Sequence, residues 1–459
     1  MKTLIKNSLL VHSEFCMRGD LLLEGEHIVG IAPEIKDSQA EIYDAEGCMV
    51  FPGFIDAHTH LDMDTGSCHT ADDFNSGSRA ALLGGTTTVL DFATQERGDT
   101  LNAALANWHR LAKDNAWCDY GFHMAITDWH KNTAYELTPL IEQGISSFKV
   151  YLAYKKLRIA DAAVYELSRC LRLMGGLLML HCENGDLVDG LTQGLINEKR
   201  RDVQAHALSR PPYVEAEAVN RVLAMAEASR TIPYIVHLSS LRGLEVARAA
   251  RSRGQRVWLE TCPQYLFLQD NLYAGEFAEA AKYVCSPPLR SASDRKALWQ
   301  AVLQGEIDVV ATDHCSFNMA GQKDLGNKDF RRIPNGLPGV EHRPLLMYSH
   351  CVSSGKLSPS QLVRLIAENP ARIFGLYPRK GVLREGADAD IVIIEPDTPY
   401  AISAKLQRQK VDYTPYEGME LNARIKAVWL RGELVAEDNR LLANKPCGQF
   451  IPRGPSAGV

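Results

Sequence analysis

Two histidines separated by one residue stand at the end of a short apolar run, Phe51-Pro-Gly-Phe-Ile-Asp-Ala-His-Thr-His60. In an extended strand, side chains at i and i+2 project to the same side, so His58 and His60 are set to grip one cation. Imidazole nitrogens suit zinc and neighbouring transition metals. Alone, the pair could equally be two incidental strand residues. Four more polar residues weigh against that, each interrupting an apolar run: Lys149 in Phe148-Lys-Val-Tyr-Leu152, His181 in Leu178-Met-Leu-His181, His237 in Ile235-Val-His237 and Asp313 in Val310-Ala-Thr-Asp313. Unpaired polar groups are costly to bury in such runs, and six of them at corresponding places point to a metal site. Six groups are too many for one tetrahedral zinc, so two ions are the natural count. Lys149 is the odd member, because an ammonium has no lone pair to offer a cation. A neutral lysine amine can react with carbon dioxide to give a carbamate, whose two oxygens could bridge two metals. A lysine paired with a nearby carboxylate is the other reading of this residue.

The elements that must carry these residues alternate regularly. Nearly continuous apolar, β-branched runs occur at 54–60, 86–92, 121–127, 146–152, 177–183, 234–239, 256–262 and 307–314, as expected of parallel strands buried on both faces. Helical patterns lie between them: one with a capping-box-like start at Thr70-Ala-Asp-Asp73 that ends at Gly84-Gly85, and others at 160–174, 214–228 and 241–253. Eight strand–helix units predict a (β/α)8 TIM barrel, whose working groups belong at the C-terminal strand ends. The six polar residues fall there. Short strands at 3–11, 21–24, 28–31 and 48–51, and again at 390–394 and 425–430 with a hairpin at Arg431-Gly432, predict one small β-sandwich built from both termini. The expected division is 1–50 and 376–459 for the sandwich and C-terminal tail, and 51–375 for the barrel.

Composition narrows the function classes. The 459 residues carry 50 basic and 56 acidic side chains, a net charge of −6, with 46% hydrophobic residues. No basic block suggests nucleic acid as a partner, and no apolar run reaches the length of a membrane span. The first residues lack the apolar core of a signal peptide. Eleven cysteines without a CxxC pair read as reduced thiols of a cytoplasmic protein.

With these residues placed, the chain resembles the cyclic amidohydrolases of the dihydropyrimidinase/hydantoinase family, and within it the bacterial D-hydantoinase and phenylhydantoinase branch. The likeness runs in order through Gly53-Phe-Ile-Asp-Ala-His-Thr-His-Leu-Asp-Met63, Ser147-Phe-Lys-Val-Tyr-Leu-Ala-Tyr154, His181-Cys-Glu-Asn-Gly-Asp186, His206-Ala-Leu-Ser-Arg-Pro-Pro212, Glu260-Thr-Cys-Pro-Gln-Tyr265, Cys285-Ser-Pro-Pro-Leu-Arg290, Ala311-Thr-Asp-His-Cys315 and Asn335-Gly-Leu-Pro-Gly339, and continues through Asn369-Pro-Ala-Arg-Ile-Phe-Gly375 and Tyr413-Thr-Pro-Tyr-Glu-Gly418.

The resemblance implies a binuclear zinc centre, with His58, His60 and Asp313 on one ion and His181 and His237 on the other. Carboxylated Lys149 and a hydroxide would bridge them. It also implies hydrolytic opening of a hydantoin or dihydropyrimidine ring to an N-carbamoyl amino acid, with Asp313 as the proton carrier. Tyr154 matches the family's substrate-binding tyrosine, and Ser286 and Asn335 match positions that hold the cyclic diamide. Apart from the resemblance, Ser286 before Pro287 and Asn335-Gly336 are also ordinary turn signals. Two departures stand out: Cys182, where the family pattern has alanine, and the polar entrance loop Met63-Asp-Thr-Gly-Ser-Cys-His69, which leaves substrate preference open. Asp62 and Asp64 belong with that loop, and His314 is expected to point away from the metals. The family also implies a homotetramer, and Cys447–Arg453 resembles its subunit-crossing C-terminal segment. The final 454–459 reads as loose. An allantoinase or dihydroorotase-like ring opener, and a non-catalytic assembly protein of the same fold, are the alternative readings; relatives of the latter kind have lost metal ligands, whereas all six positions are filled here.

Overall fold

Apolar runs that satisfy their backbone groups only by pairing with one another assemble into two sheets in the computed structural model, which describes residues 2–456. The first sheet draws on both ends of the chain: β1 (Lys2–Val11), β2 (Cys16–Glu24), β3 (His27–Ala32), β4 (Glu41–Asp44) and β5 (Met49–Pro52) come before the barrel. Its second is parallel and holds β6 (Phe54–Thr59), β7 (Thr86–Thr94), β8 (Asp119–Ala125), β9 (Ser147–Tyr151), β10 (Leu177–His181), β11 (Tyr234–Ile235), β12 (Trp258–Thr261) and β13 (Val309–Val310). After the barrel, β14 (Ile391–Ala401), β15 (Glu420–Leu430), β16 (Glu433–Glu437) and β17 (Arg440–Leu441) rejoin the first sheet.

The eight barrel strands follow one another in sequence order. Closure is made where Thr59 pairs with His314 and the His60 N–H donates to the His314 carbonyl at 2.8 Å. The predicted eight-strand (β/α)8 barrel is present. β11 and β13 are shorter than their apolar runs, because the chain leaves both in a left-handed backbone conformation at His237 (φ 40°) and Asp313 (φ 52°). Helices cover the strands, among them Asp161–Met174, which stops at the left-handed Gly175, and Pro212–Ser229. The first helix, Phe74–Leu83, begins three residues later than the predicted capping box. Its cap is Asp73, whose carboxylate accepts the Ser76 N–H at 2.6 Å while Ser76 Oγ accepts the Asp73 N–H. Thr70 instead folds the preceding loop, donating to the Asp72 carbonyl.

The sandwich forms from a single nine-stranded sheet that curls on itself. β5 pairs with β1 on one side and β14 on the other, with Pro52 opposite Ile391. β4, absent from the sequence reading, pairs with β1 and brings Tyr43 against Trp429 of β15, ring centroids 4.7 Å apart. Between the curled faces lies a core of Ile5, Leu23, Val50, Ile391, Ala427 and their neighbours.

The C-terminal segment packs on its own chain. The Tyr120 N–H donates to the Gln449 carbonyl, and the Ile451 N–H to that of Tyr120. Arg453 is buried beneath the barrel, donating to Ser147 Oγ at 2.8 Å and to the Phe122 carbonyl. Gly454 and Ser456, expected to be loose, are held by the Gly375 and Gly175 carbonyls; residues 457–459 lie outside those described. Among the described residues, no helix is long and apolar enough to cross a membrane.

Candidate active site

The barrel geometry brings the six sequence-predicted residues to one end of the strands, around a cavity of about 1350 Å³. His58 lies within β6 and His60 just past it, as the i, i+2 spacing requires. Lys149 is the middle residue of β9 and His181 the last of β10. His237 lies two residues beyond β11 and Asp313 three beyond β13. The left-handed backbone at those two positions is strained for residues with a Cβ, and it ends the strands where both side chains line the cavity. Tyr154, also left-handed at φ 66°, Ser286 and Asn335 complete the expected set in the same wall.

Two clusters of donor atoms result. His58, His60 and Asp313 each offer an atom within 4.8 Å of the others. Asp313 Oδ1 is 3.0 Å from His58 Nε2 and 3.3 Å from His60 Nε2. In the second cluster, His181 Nδ1 is 3.0 Å from His237 Nε2. The Lys149 amine lies 4.9 Å from the centre of the Phe92 ring and 5.4 Å from that of Tyr151. Among the described residues it forms no salt bridge, which disfavours the paired-lysine reading.

Behind each cluster stands a buried carboxylate. Glu260 meets His58 Nδ1 at 2.7 Å and also takes the Tyr234 hydroxyl and the His237 N–H. Glu183 meets His181 Nε2 at 2.8 Å and receives Arg210 at 2.6 Å. Carboxylates so placed fix the tautomer and turn of a metal-binding imidazole. Both glutamates lie in motifs visible in the sequence, but nothing local shows that Glu260 meets a histidine 202 positions away.

Charge in the site follows from this packing. Burial opposes a charged His58, yet Asp313 and Glu260 overcome it and raise the imidazole to about 9. Burial would raise the Asp313 carboxyl, but the neighbouring His58 and His60 hold it well below the usual carboxylate range. Burial lowers Lys149 to about 8, against the pull of Glu260 and Asp313. The partly enclosed Tyr154 phenol is pushed up to about 12, while Arg210, stacked 5.2 Å from the ring centre, works the other way.

The amidohydrolase family pattern matches residues 49–435. The chain belongs to the amidohydrolase family. It is 41% identical over 455 residues to a D-hydantoinase of Geobacillus stearothermophilus, covering 99% of this chain and 97% of that protein. A D-phenylhydantoinase of Escherichia coli O81 (strain ED1a) is 39% identical over 458 residues, with 99% of both chains covered. Among solved structures, the dihydropyrimidinase from Brevibacillus agri superposes with a TM-score of 0.98 at 38% identity, over 100% of each chain.

Membership of the amidohydrolase family implies a divalent metal centre, and the residues present fit one. Among the described residues His237 Nδ1 is buried without a hydrogen-bond partner, and His58 Nε2 has only the Asp313 carboxylate oxygen beside it, at 3.0 Å. With Nδ1 held by Glu260, His58 turns its other nitrogen toward a carboxylate that favours positive charge there. His314 stands outside the amidohydrolase donor set as expected: its Nε2 lies 3.2 Å from Asp72, and its Nδ1 accepts the Gly339 N–H. The entrance-loop residues Asp62, Asp64 and His69 line the outer cavity. Asp62 also caps the first helix by accepting the Phe74 N–H at 2.7 Å.

Proposed function

We propose that this amidohydrolase opens hydantoin or dihydropyrimidine rings by hydrolysis, releasing N-carbamoyl amino acids. What carries the reading is the meeting of two donor clusters, His58–His60–Asp313 and His181–His237, with a buried lysine that forms no salt bridge among the described residues, in one cavity. Full-length similarity to proteins named D-hydantoinase, D-phenylhydantoinase and dihydropyrimidinase supports it.

In this reading His58, His60 and Asp313 would hold one zinc ion and His181 and His237 the other, with Lys149, as a carbamate, supplying the remaining anionic ligand. Burial favours the neutral amine from which that carbamate forms. Zinc held by these residues would supply an acidified water and a polarised carbonyl. Asp313, kept ionised, accepts the proton of the attacking water and returns it to the leaving ring nitrogen. Tyr154 remains a phenol at neutral pH and donates to the carbonyl oxygen as charge grows on it. Ser286 and Asn335 hold the diamide edge of the ring. We further propose a homotetramer working in the cytoplasm, with the barrel of 51–375 as the catalytic unit and the terminal segments as its support.

The test is one assay on purified protein of measured metal content. Ring opening is compared among hydantoin, phenylhydantoin, dihydrouracil, dihydroorotate and allantoin. We expect the first three to yield N-carbamoyl products; zinc binding without opening any of the five would sink the function.

A further inference from the structure

Lys323 is a lysine with no exposed surface, and its surroundings hold no carboxylate for it among the described residues. Its Nζ donates instead to two backbone carbonyls, Val284 at 2.9 Å and Pro334 at 3.1 Å. These carbonyls belong to separate segments of the cavity wall. Val284 is two residues before Ser286, and Pro334 is one before Asn335; both Ser286 and Asn335 line the cavity. The segments also meet directly, the Gly336 N–H donating to the same Val284 carbonyl at 3.0 Å. Gly336 is pressed against Cys315, whose carbonyl a Cβ at that position would overlap.

Burying an ammonium without a counter-charge is unfavourable, and burial lowers Lys323 to about 7. An unbranched apolar side chain would fill the space at less cost. What the amine adds is a pair of directed N–H···O hydrogen bonds that reinforce the single direct bond between Gly336 and Val284 in setting the distance between the two turns. The next residue back extends the same hub, since Gln322 Nε2 reaches the His69 carbonyl of the entrance loop at 2.5 Å.

We propose that Lys323 is a positioning residue that clasps segments 284–286 and 334–336 and so sets the spacing of Ser286 and Asn335 for the substrate. The substrate side of this statement rests on the function proposed above; the clasp itself does not.

The variants are Lys323→Met, which keeps the length and removes the donors, and Lys323→Gln, which keeps an N–H donor. Hydrogen exchange is measured on metal-loaded protein without substrate. We expect faster exchange in Lys323→Met confined to peptides covering 284–290 and 330–338, with partial recovery in Lys323→Gln. With hydantoin, KM should rise about tenfold in Lys323→Met while kcat changes far less and metal content stays at the wild-type level, as for lost uniform binding. Exchange unchanged in those peptides, or raised throughout the barrel, would overturn the clasp, and a fall in kcat at constant KM would overturn its role in spacing Ser286 and Asn335 for the substrate. If the wild type opens no cyclic diamide, the proposed function fails, and the exchange comparison still decides the clasp.

Discussion

At Lys149 the barrel carries an amine into a wall of histidines, where it forms no salt bridge among the described residues. Lys149→Ala should lose bound metal and nearly all ring opening, with a short-chain carboxylic acid restoring part of both. Metal content equal to wild type would remove the bridging role. Tyr154→Phe keeps the ring that stacks near Arg210 and deletes only the hydroxyl, so kcat should fall about 10²- to 10³-fold, the range for a lost oxyanion donor, with metal retained. Wild-type kcat would remove that assignment. His206 is buried with Nε2 2.7 Å from the Cys285 carbonyl and held down to about 3 by burial, with Arg210 adding to the effect. The folded chain keeps this ring neutral, whereas the unfolded chain takes up a proton below about 6.5. The contribution is therefore complete above that pH and declines by roughly 1.4 kcal/mol per unit as pH falls toward 3. The urea stability of wild type over His206→Gln should narrow across that window; a gap constant from about pH 7.5 to 4.5 would refute it.

Between elements, Lys380 joins the two sheets. Its Nζ lies 2.5 Å from Asp119 at the start of β8, and 2.7 and 3.0 Å from Asp390 and Asp388 beside β14. Arg431, in the turn between β15 and β16, pairs with Asp119 from the other side. Burial works against the Lys380 charge, but the three aspartates outweigh it and raise its pKa. The stabilisation is thus complete through neutral pH and is lost only in alkali. Lys380→Met strands buried carboxylates and should cost roughly 3–5 kcal/mol in urea unfolding; a loss under about 1 kcal/mol would show that the aspartates find other partners.

The same scale shows what the sequence could reveal. The barrel strands were legible because parallel strands buried on both faces need continuous apolar runs, and the histidines because they break them. β4 was hidden, its Glu41-Ile-Tyr-Asp44 being short, half polar and largely exposed. The early ends of β11 and β13 were hidden as well, since local propensity carries no sign of a left-handed turn at His237 or Asp313. Glu183, Glu260 and Lys323 were visible only as letters; their roles depend on partners brought close by closure of the barrel.

For the whole molecule, the C-terminal segment 447–456 acts as a floor to the barrel. Arg453 reaches Ser147, two positions from Lys149 on β9, and Ile451 is buried against the barrel. Ending the chain after Pro446 should therefore lower stability by roughly 3–6 kcal/mol, from one buried aliphatic side chain and lost charge-assisted bonds. Metal retention should fall with it; a truncated protein with the wild-type urea midpoint would contradict this. The pairing of Pro52 with Ile391 has a consequence for how the protein is made. During translation β5 emerges about 340 residues before its partner, an interval on the order of 20–70 s at ordinary elongation rates of about 5–20 residues per second. Through that time one side of β5 is an open apolar edge on a nascent chain. Slowed elongation or crowded polysomes should thus favour aggregation of this chain before any defect in its active site could be felt.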